Sequence, residues 1–204
     1  MAVAALNTAD DPRWLEFNRA GFECSCGQRH VGLFPINMLA PVGWTGGRDY
    51  ASDDALDLTG NFLSENFCVW EGQYYAMRMR LPLQIQGAAP AAFMYTVWAS
   101  VSRADLETYV AERRDGALRN TTQFSARLVN RIAGYPETSN LLGIAFQQED
   151  GGPPLLLIAG PQPGVNPGHP LIGDERNGIG LDRALELFAA YGHDMQANPS
   201  TRSH

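Results

Sequence analysis

The stretch from Gln73 to Ile85, QYYAMRMRLPLQI, constrains this chain more than any other. Tyr75, Met77, Met79 and Leu81 alternate with Tyr74, Ala76, Arg78 and Arg80. A two-residue period puts the first set on one face of an extended strand and the second on the other. The run is too long and too regular to be a loop, and its arginines fall out of step with any helical stripe. It needs a partner strand, and ENFCVW supplies one across Glu71-Gly72, a tight-turn signal. FMYTVWASVS is a third β-rich run, and LLGIAFQQ and PLLLIA, joined by EDGGP, form a second hairpin. FSARLVNRI reads equally as strand or helix.

Helices are signalled between and outside these strands. Asp11-Pro12 opens a short one that Gly21 stops. Ser52 or Asp53 starts one or two helical turns, and Ser102 caps a helix with Asp105 three residues on, ending near residue 116. From Leu181 the chain is amphipathic, with Leu181, Ala184, Leu185, Phe188 and Tyr191 along one side and Gly192 as terminator. GPQPGVNPGHP reads as a loop. The fold expected is α+β: an antiparallel sheet built from hairpins, with a few flanking helices including a C-terminal amphipathic one. Residues 1–204 read as a single domain, with a core from about 12 to 193 and a polar tail over 194–204.

Composition excludes several functions. With 45% hydrophobic residues in 204, a real core is affordable. All 15 basic residues are arginine, so no P-loop, Schiff-base or kinase-type lysine exists. The net charge of −7 disfavours nucleic acid and anionic membranes and favours a basic protein partner. No signal peptide or membrane-spanning run is visible, so a cytoplasmic protein is expected.

One stretch could carry chemistry. In FECSCGQRH, Cys24 and Cys26 flank one residue, Gly27 lets the chain turn, and His30 follows four residues after the second cysteine. Cys68, the remaining cysteine, would complete a Cys₃His set for a structural zinc. The alternative is that Cys68 is a small buried hydrophobe. Redox chemistry is the weaker fit, because no helix start follows the pair. Arg78 and Arg80 could grip a carboxylate or phosphate, or form internal ion pairs. His169 lies in a loop, where ligand contacts concentrate.

FECSCGQRH, FCVWEGQYYAMRMRLPLQI, YTVWASVS, GYPETSNL and HPLIGDERNGIGLDRALEL follow in an order that resembles the bacterial DUF2199 family, over about Phe22 to His193. The resemblance implies this α+β fold and a bacterial cytoplasmic setting, and names no activity. No nucleophile elbow, zinc-protease helix or dinucleotide fingerprint is present. The favoured expectation is a non-enzymatic binding module, such as an immunity protein that covers a basic toxin. An enzyme without a local motif, metal-assisted or not, and a structural zinc protein of a larger complex are the alternatives.

Overall fold

The computed structural model describes residues 7–47, 49–117, 122–148, 150–161, 166 and 168–193. In chain order the elements are α1 (Pro12–Arg19), β1 (Phe22–Glu23), β2 (Arg29–His30), β3 (Ile36–Asn37), β4 (Phe62–Leu63), β5 (Phe67–Trp70), β6 (Tyr74–Gln84), β7 (Ala92–Val101), α2 (Arg103–Arg114), β8 (Gln123–Leu128), β9 (Leu142–Phe146), β10 (Leu155–Ile158), α3 (Pro170–Asn177) and α4 (Leu181–Ala189). The polar tail expected over 194–204 lies outside the described residues.

β6 and β7 pair antiparallel along almost their whole length, from Tyr75↔Val101 to Gln84↔Ala92. β7 then pairs with β8, β8 with β9 and β9 with β10, all antiparallel. β10 returns to β6 in parallel through Leu155↔Arg80, so five strands close a barrel. β6 and β7 outlast these neighbours. Their surplus edges take β5 and β4 on one side and β3, in parallel, on the other. The expected antiparallel sheet of hairpins is therefore present, with two parallel joins that local pattern cannot announce. The ambiguous FSARLVNRI resolves as strand, because β8 alternates exposed and buried from Gln123 to Leu128.

The alternation in β6 does what its period demands. Tyr75, Met77, Met79, Leu81 and Leu83 enter the core beside Phe93, Tyr95, Val97 and Leu156. α4 adds Leu181, Ala184, Leu187 and Phe188, while Leu185 and Tyr191 pack at the margin.

The barrel has one weak seam. Past Leu155↔Arg80, β6 and β10 pair no further, and Pro82 brings no N–H to the β6 edge. α3 covers the gap: both carboxylate oxygens of Glu175 accept from Ile158 N–H, at 3.1 and 3.0 Å. The stretch read as loop runs to Pro170 and no helix is expected between it and Leu181, yet α3 begins on Pro170. His169 is its N-cap, with Nδ1 accepting from Leu171 N–H at 3.2 Å, and Pro170 is the first helical residue.

Candidate metal centre

β1 and β2 form a minimal hairpin, pairing Phe22 with His30 and Glu23 with Arg29. The turn between them holds Cys24 and Cys26. Cys24 N–H donates to the Gln28 carbonyl at 2.9 Å, and Gly27 N–H to the Cys24 carbonyl at 2.9 Å. Gly27 has φ +83°, the left-handed conformation that glycine adopts without strain and that swings the chain back towards His30. The result is a Cys26 Sγ to His30 Nε2 distance of 3.2 Å.

The other half of the site arrives from the far end of the chain. α4 ends at Ala189, and Gly192, at φ +79°, turns the backbone so that His193 doubles back over Phe188. Ser25 Oγ donates to the Gly192 carbonyl at 3.0 Å and so latches the hairpin turn to the helix end. His193 Nδ1 sits 3.6 Å from Cys24 Sγ. Ligand atoms of Cys24, Cys26, His30 and His193 all lie within 4.8 Å of one another. Zinc bonds of 2.0–2.3 Å place tetrahedral donors about 3.3–3.8 Å apart, so the Cys26–His30 and Cys24–His193 pairs are already close to that spacing and the others lie no more than about 1–1.5 Å beyond it.

The surroundings suit a neutral, closed centre. Cys24 is buried and Cys26 exposed, with both histidines between. Phe34 packs against both imidazoles, with ring centroids 4.6 Å from His30 and 4.8 Å from His193, and Phe188 lies 5.0 Å from His193. Burial, followed by nearby His30, lowers the pKa of His193, which favours the neutral ring and so one unprotonated nitrogen for a metal. Burial raises the Cys24 thiol, while the Cys26 N–H, 3.5 Å from Cys24 Sγ, favours the thiolate. A divalent ion held by two thiolates and two imidazoles carries no net charge, which removes the cost of burying either alone. Two sulfurs and two nitrogens are a donor set that suits a soft or borderline metal ion.

Cys68 is not part of this group, which corrects the expected Cys₃His set. It lies in β5 opposite Leu63 and Ala76 and packs with them and Trp98 in a separate small cluster. Burial alone pushes its thiol up to about 12. His193 takes the fourth place, 163 residues after His30 in the numbering. Nothing local marks it; a histidine directly after a helix-ending glycine is an ordinary helix exit.

The other expected binding residues have structural work. Arg78 is nearly buried and faces Glu65, 3.6 Å from its carboxylate and 3.3 Å from its carbonyl. Arg80 reaches both carboxylate oxygens of Asp150 at 3.2 Å and the Pro153 carbonyl. These are the internal ion pairs that stood as the alternative. His169 caps α3.

No curated protein and no solved structure matches this chain. A family profile described as an uncharacterized protein conserved in bacteria matches residues 23–179. That span includes Cys24, Cys26 and His30 and stops short of His193. It covers well over half of the 204 residues, so the chain belongs to the DUF2199 family.

Proposed function

We propose that this protein holds a structural zinc ion through Cys24, Cys26, His30 and His193, and that the ion ties the N-terminal hairpin to the exit of the last helix. The observation that carries this reading is the convergence of those four donors within 4.8 Å. Four protein ligands leave no open position for a substrate or an activated water, which is the pattern of structural rather than catalytic zinc. Protein purified reduced and without chelator should contain ~one zinc per chain. Cys26→Ser and His193→Ala should lose it, and Cys68→Ala should keep it. Metal-free wild-type protein, or equal loss in Cys68→Ala, would sink the reading.

A second reading concerns what the folded surface does, and the distribution of charge favours it. Residues 39–74 hold six carboxylates and one arginine, Arg48, so this segment carries −5 of the chain's −7. Asp53 and Glu65 pair with Arg113 and Arg78 from outside the segment, and the other four form no ion pair among the described residues; an acidic surface speeds encounter with a basic protein and makes the association salt-sensitive. An immunity protein that covers a cationic toxin is the concrete form of that role. Affinity capture from the native bacterium, followed by association kinetics at two salt concentrations, tests it. The reading fails if no basic protein is retained or if the on-rate ignores salt.

A further inference from the structure

Four of the eight large apolar side chains that face solvent among the described residues belong to two neighbouring stretches of chain, 39–50 and 70–74. Leu39, Val42 and Tyr50 are 51%, 49% and 40% exposed, and Tyr74 is 64% exposed. The first three share one irregular segment with Trp44. Trp44 meets Trp70 edge to face at 6.5 Å, and Trp70 meets Tyr74 at 6.3 Å. A Cβ on Gly43 would lie 3.1 Å from the Trp70 ring, so the segment packs directly on that indole. A hollow of about 500 Å³ opens beside Trp44, lined also by Met38, Leu39 and Asn130 among others.

This face is held from behind. Met38 N–H donates to the Thr96 carbonyl at 2.9 Å, and Trp98 Nε1 donates to the Met38 carbonyl at 2.9 Å. Buried Asn130 donates to the Ala40 carbonyl at 3.0 Å and accepts from Trp98 N–H at 2.6 Å. The Trp44 indole N–H is tied to the Gly47 carbonyl at 2.6 Å. A surface already fixed in shape loses little entropy when a partner covers it.

An exposed carboxylate sits in the turn that joins two of the rings. Glu71 is the turn residue between Trp70 and Tyr74, exposed at φ +55°, with its N–H on Asn61. Gly72 packs on the Thr59 backbone, which brings the loop of Asp57 alongside, and Asp49 precedes Tyr50. Asp49, Asp54, Asp57 and Glu71 form no ion pair among the described residues, whereas Asp53 and Glu65 of the same segment are engaged by Arg113 and Arg78. Aromatic rings with an unpaired carboxylate in the turn that joins them, here Glu71, attract guanidinium and ammonium groups twice, through the ring quadrupole and through charge.

We propose that the face built from Trp44, Trp70 and Tyr74, with Glu71 at its centre, is the docking surface for an arginine- or lysine-bearing segment of a basic protein partner. The inference rests on the reading of this protein as a binder of basic proteins, and it names where and by what chemistry that binding occurs. A second copy of the chain is a poor occupant, because a two-fold contact would set these carboxylates against their own copies. Nucleic acid could stack on the rings, but its phosphates would meet the same carboxylates.

The test uses the full-length, isotope-labelled protein and two synthetic peptides of equal length, one alternating arginine with alanine and one alternating glutamate with alanine. The indole N–H signals of Trp44 and Trp70 are the reporters, and that of Trp14, on α1, is the reference. The arginine peptide should shift Trp44 and Trp70, leave Trp14 in place and release as salt rises. Tyr74→Ala and Glu71→Gln should each weaken it by about two- to fivefold, as expected for one exposed cation–π or charge contact. Tyr74 is exposed enough for its variant to keep the fold. If the arginine peptide binds but perturbs other signals, the docking surface is overturned while the basic-partner reading stands. If both peptides shift the indoles equally, the face is merely apolar and the proposal is overturned. If the arginine peptide does not bind even at low salt, the basic-partner reading fails and this surface falls with it.

Discussion

Glu175 sets the pH response of the barrel seam. Burial raises its carboxyl from 4.5 to about 7, against the opposing pull of the Ile158 N–H and of Arg176. Unfolded, the group gives up its proton near 4.5; folded, it keeps it to about 7. Between those values the native state binds more protons, so stability falls as pH rises through this window, and above it the whole penalty is present. Allowing for water access to the seam, the fall should be about 1–2 kcal/mol. Glu175→Gln keeps an acceptor for Ile158 and removes the charge. Urea denaturation at pH 4.5 and pH 8 should show the variant gaining on wild type only at the higher pH; an equal gap at both values would refute this. Cys68 gives a second residue-scale expectation. A serine there would bury a hydroxyl among Leu63, Ala76 and Trp98, at a cost of about 1–3 kcal/mol. Its zinc content should stay that of wild type, as metal analysis beside the denaturation curve can establish.

The hairpin β1–β2 is too short to hold itself together, so its position depends on what it touches. Phe22 stacks on Phe17 of α1 at 4.7 Å, and the Gly32 N–H donates to the Phe17 carbonyl at 2.8 Å. Gly21 joins α1 to the hairpin at φ +74°, and a Cβ there would sit 2.3 Å from the His30 carbonyl oxygen, itself backbone. Gly21→Ala therefore combines left-handed strain with a clash that only a hairpin shift relieves. A loss of about 2 kcal/mol or more is expected, with weaker zinc retention against a competing chelator. Unchanged retention would show that the hairpin is held elsewhere. α2 is a simpler element. Its Ser102 accepts from Asp105 N–H at 3.0 Å and donates to the Asp105 carboxylate at 2.6 Å. Ser102→Ala should cost about 1 kcal/mol in chemical denaturation, with metal content untouched.

On the scale of the whole molecule, the donors come from residues 24–30 and from residue 193, so the ion would close a loop that contains nearly the entire barrel. Removing it frees both ends at once. At a free-zinc concentration about a thousandfold above the dissociation constant, the linkage is worth about 4 kcal/mol. For a chain of this size that is roughly 10 °C in Tm. A strong chelator should lower Tm by that order, and added zinc should restore it; a chelator-independent Tm would leave the ion no structural role. No helix among the described residues is long and apolar enough to cross a membrane.

The sequence alone determined whatever depends on near neighbours. The period of two in β6, the Ser102 cap and the Asp11-Pro12 start each follow from contacts within a few residues, and each stands where its pattern placed it; α4 forms where its stripe placed it, though Leu187 rather than Leu185 enters the core. Three of the four donors of the candidate metal centre were legible for the same reason, since Cys24, Cys26 and His30 share one turn. Tertiary structure decided the rest. The parallel return of β10 to β6 turns a sheet of hairpins into a barrel, and a single pairing between segments 75 residues apart, Leu155 and Arg80, leaves no local signature. Cys68 and His193 exchanged roles because a side chain's use depends on which face of the folded core it meets. A cysteine on a buried β5 position stays a small hydrophobe, while the helix exit at Gly192 brings a distant histidine to two thiols.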